Sequence, residues 1–184
     1  MTALMVLLVI VVLVVWVIVK YNGLVTLRNQ VTNGWKQIDV QLKRRHDLIP
    51  NLVNTVKGIM EFEQETLQKV IEARSAAMGA RGAKDAAQKE GALTDALSKF
   101  MVVVEQYPQL RSSENVKQLQ EELTSTENKI TFARQFYNDQ AMRLNTSIES
   151  VPTNVIANLT GFTKVEFFQI EETDTAVPEV NLRS

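Results

Sequence analysis

His46 is the only histidine in the chain, and charge surrounds it: Lys43, Arg44 and Arg45 come before it and Asp47 after it. A histidine in such company can act as a general base, a metal ligand or the activator of a nucleophile. Each role needs further residues. A di-iron site in a helical bundle is built from two Glu-x-x-His pairs, which one histidine with Lys43 three residues before it cannot supply. A zinc site fails for the same shortage of nitrogen ligands, with no cysteine to compensate. Asp47 points about 100° away from His46 around a helix, so it cannot orient the ring. "MGARGAKD" at 78–85 lacks the Walker spacing of a phosphate loop and follows a helical pattern rather than a strand. The expectation is a chain with no catalytic residue, no cofactor and no metal site, and so not an enzyme.

The same stretch reads better as a structural joint. Pro50 has no amide hydrogen, so the carbonyl of His46 loses its helical partner and the ring presses against it. A bend is expected there, with His46, Asp47 and Asn51 supplying polar atoms to the freed backbone. Arg45 falls on an apolar helix face, where a cation without a carboxylate costs several kcal/mol of desolvation. Glu127 or Asp139 on a facing helix is the expected partner, fixing helix register; the alternative is that Arg45 reaches out to solvent.

The elements that would position these residues are helical. Leu24, Arg28, Val31, Trp35, Ile38, Leu42, Arg45, Ile49, Leu52, Val56 and Ile59 alternate spacings of four and three, which marks a heptad seam. Phe62, Leu67, Val70 and Ile71 extend it in a shifted phase to about Ala77, as one helix interrupted at Pro50. "GARGAKDAAQKEG" at 79–91 reads as a loop or frayed end where the chain reverses. A shorter helix follows on Leu93, Leu97, Phe100 and Val104 and stops at Tyr107-Pro108. After a cap at Ser112 or Ser113, a second seam runs through Val116, Leu119, Leu123, Thr126, Ile130, Ala133, Tyr137, Gln140 and Leu144. Pro152 opens a brief helix that Gly161 ends, and "FTKVEFF" at 162–168 brings aromatics to one end of the bundle.

Ahead of these helices, Ala3 to Val19 carry no polar side chain. As a helix they would extend about 26 Å, near the roughly 30 Å of a bilayer's hydrocarbon core. Trp16, Lys20 and Tyr21 suit the membrane interface at the end of the run. "MTA" lacks the basic start of a cleaved signal, and no small-x-small site follows, so the run is expected to remain as an anchor. Lys20, Arg28 and Lys36 lie behind it, which by the positive-inside rule puts the carboxy-terminal domain in the cytoplasm. The net charge of −1 offers no field for nucleic acid. Residues 1–22 are thus expected as a transmembrane anchor, 23–170 as an antiparallel helical bundle and 171–184 as a mobile polar tail. The fold class is all-α: an N-terminal transmembrane helix continuing into a long antiparallel three- to four-helix bundle.

The stretches "NQVTNGWKQIDVQLKRRHDLIPNLVNTVKG" (29–58), "VIEAR" (70–74), "YPQLRSSENVKQLQEELTSTENKITFARQFYND" (107–139) and "PTNVIANLTGF" (152–162) together resemble the LemA family. The resemblance implies a bacterial protein with one amino-terminal transmembrane helix, a long antiparallel helical domain and no established enzymatic activity. Relatives in that family needed for magnetosome membrane formation point to membrane organisation. Gly34 stands where a better helix former is expected. The expected function is a self-associating helical scaffold in the bacterial inner membrane, with lipid, further copies of itself and other membrane proteins as partners. A regulatory or sensory module whose bend at Pro50 responds to a partner is the alternative. Val40, Leu48 and Val53 are expected as surface for a neighbouring copy.

Overall fold

A computed structural model describes residues 1–60 and 63–169; among them it holds six helices and no strand. The expected tail at 171–184 and Phe62 lie outside the described residues. The first helix, α1 (Thr2–Lys57), is one continuous rod of 56 residues, about 84 Å long at 1.5 Å per residue. It crosses the expected boundary at residue 22 without interruption, so the apolar run and the bundle share a helix. Its apolar first third is exposed in the isolated chain, and α1 alone among the described helices is long and apolar enough to cross a membrane.

α1 also runs uninterrupted through Pro50, contrary to the expected interruption there. The helix ends instead at Lys57, before Gly58, and α2 (Gln64–Met78) starts afresh. The second difference concerns 79–91. Helix α3 (Gly82–Glu105) begins ten residues earlier than the glycines imply, leaving only 79–81 as the connection. Gly82, at φ +81°, makes the turn, and the alanines behind it carry the best intrinsic helix propensity. Ala83, Ala86, Ala87 and Glu90 then pack inward. A four-residue turn, α4 (Pro108–Arg111), leads to α5 (Glu114–Glu149), which starts after Ser113 without a side-chain cap bond. The last helix, α6, spans Thr153–Leu159.

The two seams meet. α5 runs antiparallel to α1, with Tyr137 opposite Gly34 and Glu127 opposite Arg45. A Cβ at residue 34 would approach the Tyr137 Cα to 3.1 Å, so glycine stands there because the two backbones nearly touch. The apolar interior is divided in two. The proximal core joins Leu24 to Leu42 of α1 with Ile130 to Ile148 of α5, the first turns of α3, and α6. The distal core joins Ile49 to Val56 with α2, most of α3, Leu110 and Leu123.

The proximal half is strapped by the chain after α6. Asn145 bonds both backbone groups of Val165, and Asn138 does the same for Phe168, at 2.8 to 3.1 Å. The Tyr137 hydroxyl donates to the Glu166 carbonyl at 2.8 Å. Burial, and then the Glu166 charge, hold that phenol above its ordinary range, which keeps it a donor. Phe168 is buried beneath the Arg134 guanidinium and against Trp35.

Candidate functional site

Between the two cores lies a layer of buried charge. Arg45 and His46 come from consecutive positions of α1, which lets one helix present side chains about 100° apart to two neighbours. Arg45 Nη1 lies 3.0 Å from Glu127 Oε2 on α5 and 3.4 Å from Glu90 Oε2 on α3. Its other terminal nitrogen donates to Thr94 Oγ1 at 2.7 Å, and that hydroxyl donates to the Glu90 carbonyl one turn back. His46 Nε2 sits 2.7 Å from the second oxygen of Glu90. An ionised carboxylate only accepts, so the ring nitrogen facing it carries its hydrogen. Arg45, His46 and Glu90 are all buried, while Glu127 is partly exposed.

Such a layer costs desolvation that only full pairing recovers. Here Glu90 takes one cationic or imidazole donor on each oxygen, and Arg45 is shared between two carboxylates and a hydroxyl. The arrangement specifies register: sliding α3 or α5 by one turn would leave a charge in a dry interior without a partner.

Pro50 adds a second link. The His46 carbonyl, deprived of its amide partner, accepts a hydrogen bond from Arg74 Nε of α2 at 2.7 Å. The polar joint expected around Pro50 is therefore served from another helix. Asp47 and Asn51 take no part in it; both side chains face solvent, and the Asn51 carbonyl receives only Thr55 of its own helix. Asp139 is exposed on α5 and does not meet Arg45. Of the two expected partners, Glu127 is the one within reach.

Glu90, Thr94 and Arg74 escaped the sequence reading. Glu90 is hidden because the glycines make 79–91 read as a loop or frayed helix end. The signal lay in Ala83, Ala86, Ala87 and Glu90, which extend the Leu93–Leu97–Phe100 stripe backwards at helical spacing. Arg74 sits between Val70 and Ala77 on the stripe of α2, as Arg45 does on that of α1.

The layer is open to solvent on one side only, where Glu127 lies. An open groove of about 300 Å³ reaches Arg45 and Thr94 from outside and is walled by Leu97, Met101 and Leu123, but His46 and Glu90 do not line it. Among the described residues no group of three His, Cys, Asp or Glu side chains is placed to hold a metal ion. At the other end of the bundle, Trp16 packs against the proximal core and Tyr21 meets Phe162 edge-on at 6.0 Å, while Lys20 is exposed.

Known proteins are similar to this chain in sequence. The Magnetosome protein MamQ 2 of Paramagnetospirillum magneticum is 27% identical over 178 residues, covering 83% of this chain and 65% of its own length. The Magnetosome protein MamQ of Magnetospirillum gryphiswaldense is 25% identical, covering 82% and 65%. The chain thus spans about two thirds of the length of those relatives. Protein LemA of Metamycoplasma hominis is 27% identical over 154 residues, covering 83% of this chain and 70% of that one. The LemA family model matches residues 34–182, which include the second seam, the first from Trp35 onward and every member of the charged layer, and the chain belongs to the LemA family.

Proposed function

We propose that this chain is a membrane-anchored helical scaffold that self-associates and organises membrane or partner proteins, without catalysis. The observation that carries the reading is an uncovered apolar face between α1 and α5. Val40 is 61% and Phe132 71% exposed, and Phe136 lies exposed beside them. Gln41, at the same groove, has a buried side-chain oxygen with no hydrogen-bond partner among the described residues. Leu48 and Val53, also expected as free surface, are instead engaged by the distal core. The interaction face is therefore narrower than expected and is built jointly by two helices.

A second copy is the occupant this face suits. Copies anchored in one bilayer by the start of α1 share an orientation and meet sideways, and the groove runs along the side of the rod. That two relatives are magnetosome proteins is in keeping with a place at a membrane, and Lys20, Arg28 and Lys36 behind the apolar run favour a bundle on the cytoplasmic side of a bacterial inner membrane. The test is the mass of the particle extracted in mild detergent. A multiple of the chain mass that falls to the single chain in Phe132→Glu, with helicity unchanged, is the expected result. A single-chain mass for the native protein across several mild detergents overturns the reading.

The contact between Arg74 and the His46 carbonyl supports a second reading, in which a partner that draws α2 away frees the backbone at Pro50 and changes the bundle. That reading requires hydrogen exchange around residues 46–50 to rise when a partner binds. Unchanged exchange in the bound state excludes it.

A further inference from the structure

α6 carries apolar side chains on two opposite sides, with Asn154 and Asn158 between them. Thr153, Ile156 and Ala157 are buried against the proximal core. On the other side, one turn apart, Val151, Val155 and Leu159 are 82%, 56% and 81% exposed. Large apolar side chains clustered on an outward face mark a surface that meets protein or lipid.

Its place in the fold decides between these. Because α5 is antiparallel to α1, with Tyr137 opposite Gly34, the end of α5 at Glu149 comes level with Asn22 and Gly23. The chain then makes its U-turn through α6 and climbs again: Phe162 meets Tyr21 and Arg28, Val165 meets Asn145, and Phe168 meets Asn138. α6 is thus the lowest element of the bundle, on the side where the apolar run of α1 begins. Trp16, inside that run, is already half-buried against the proximal core. The headgroup layers add about 5 to 7 Å on each side of the hydrocarbon. At 1.5 Å per residue that is about four residues of α1, from Lys20 to about Leu24, the level at which α6 packs. Charges suited to headgroups surround it, with Lys20 exposed and Lys164 paired to Glu149 at 2.7 Å.

We propose that α6 and the turn before it form a foot that inserts Val151, Val155 and Leu159 into the surface of the bilayer that α1 crosses, holding the bundle upright on it. The proposal rests on the anchored reading of α1, and the experiment separates the two. The chain has no cysteine, so single cysteines at Ile10, Leu159 and Val102 can each carry an environment-sensitive fluorophore in the full-length protein. Val102 is 62% exposed and belongs to the far half of the bundle, which makes it an apolar control away from lipid. The three proteins are reconstituted in phosphatidylethanolamine and phosphatidylglycerol vesicles containing lipids spin-labelled either near the headgroup or deep in the acyl chain.

The expected result is strong quenching at Ile10→Cys by the deep label, because that residue lies near the middle of the apolar run, and quenching at Leu159→Cys by the headgroup label several-fold above that at Val102→Cys. Val155→Cys, one turn away, should behave as Leu159→Cys does. Quenching at Ile10→Cys with Leu159→Cys no more quenched than Val102→Cys overturns the foot and leaves the anchor standing. An unquenched Ile10→Cys overturns both. A lipid-shielded Leu159→Cys that forms disulfide-linked dimers in the same vesicles assigns the face to a second copy, and the proposal fails.

Discussion

The proximal and distal halves of the bundle solve the same packing problem by different means. In the proximal half two long helices approach closely at Gly34, and a strand-like strap is stitched over them by asparagine side chains, Tyr137 and aromatic rings. In the distal half the gap is filled by the α2–α3 pair, with Phe100, Leu93, Leu52 and Val56 fully buried and few polar ties. The first depends on directional bonds and close approach, the second on apolar volume. The layer of Arg45, His46 and Glu90 lies where one regime gives way to the other, so it holds two differently stabilised units in one register.

The sharpest way to break this contrast is to hollow the distal core. Phe100→Ala should cost about 3–5 kcal/mol, because a buried ring leaves a cavity its neighbours only partly fill. Hydrogen exchange should accelerate across α2 and α3 while Trp35, packed on Tyr137 and Phe168, keeps its emission. Simultaneous loss of both signals would mean that the halves are one cooperative unit.

Glu90→Gln comes next, at about 3 kcal/mol, since it removes the buried one of Arg45's two carboxylate partners and the charge facing His46 in a dry setting. Glu127→Gln, partly exposed, should cost below about 1 kcal/mol. Equal losses would show that the layer is wetter than its burial implies. Arg45→Met should also lower the melting temperature, and an unchanged value would remove the layer's role in setting register.

Arg74→Ala should cost about 2 kcal/mol through the lost charge-assisted bond to the His46 carbonyl. Pro50→Ala restores an amide donor to that carbonyl, so it should recover part of the loss in the Arg74→Ala background, measured by chemical denaturation as a double-mutant cycle. Additive behaviour would mean that the carbonyl does not need its partner. The smallest effect is expected at Gly34→Ala. A gain in helix propensity opposes a Cβ 3.1 Å from the Tyr137 backbone, for a net loss below about 1 kcal/mol, confined to the proximal half and visible in Trp35 emission.

Much of this was legible in the residues, and the failures have physical causes. The two seams and the apolar run could be read because spacings of three and four leave one packing solution, and their faces meet as the stripes require. The start of α3 was misread because its stripe is alanine: small residues bury well yet give little hydropathy signal, and Gly79, Gly82 and Gly91 looked like breakers. Glu90 was lost with it. Arg45 could be picked out as a cation on an apolar stripe, but its full set of partners could not, because α3 approaches from a sequence distance that periodicity does not encode. Pro50 signalled an orphaned carbonyl correctly; that a guanidinium from another helix would serve it was beyond local reasoning.

From Val19 to Leu24 α1 is helical throughout, so any lean of its apolar end is passed rigidly to the rest of the rod. Between Lys20 and Lys57 the rod measures about 55 Å, and an inclination of about 20°, ordinary for a membrane span, would carry its tip sideways by about 19 Å. On the proposed anchored reading, a change in bilayer thickness becomes a displacement far out in the aqueous phase, with the helix from Trp16 to Leu24 as fulcrum and the charged layer riding partway along the lever.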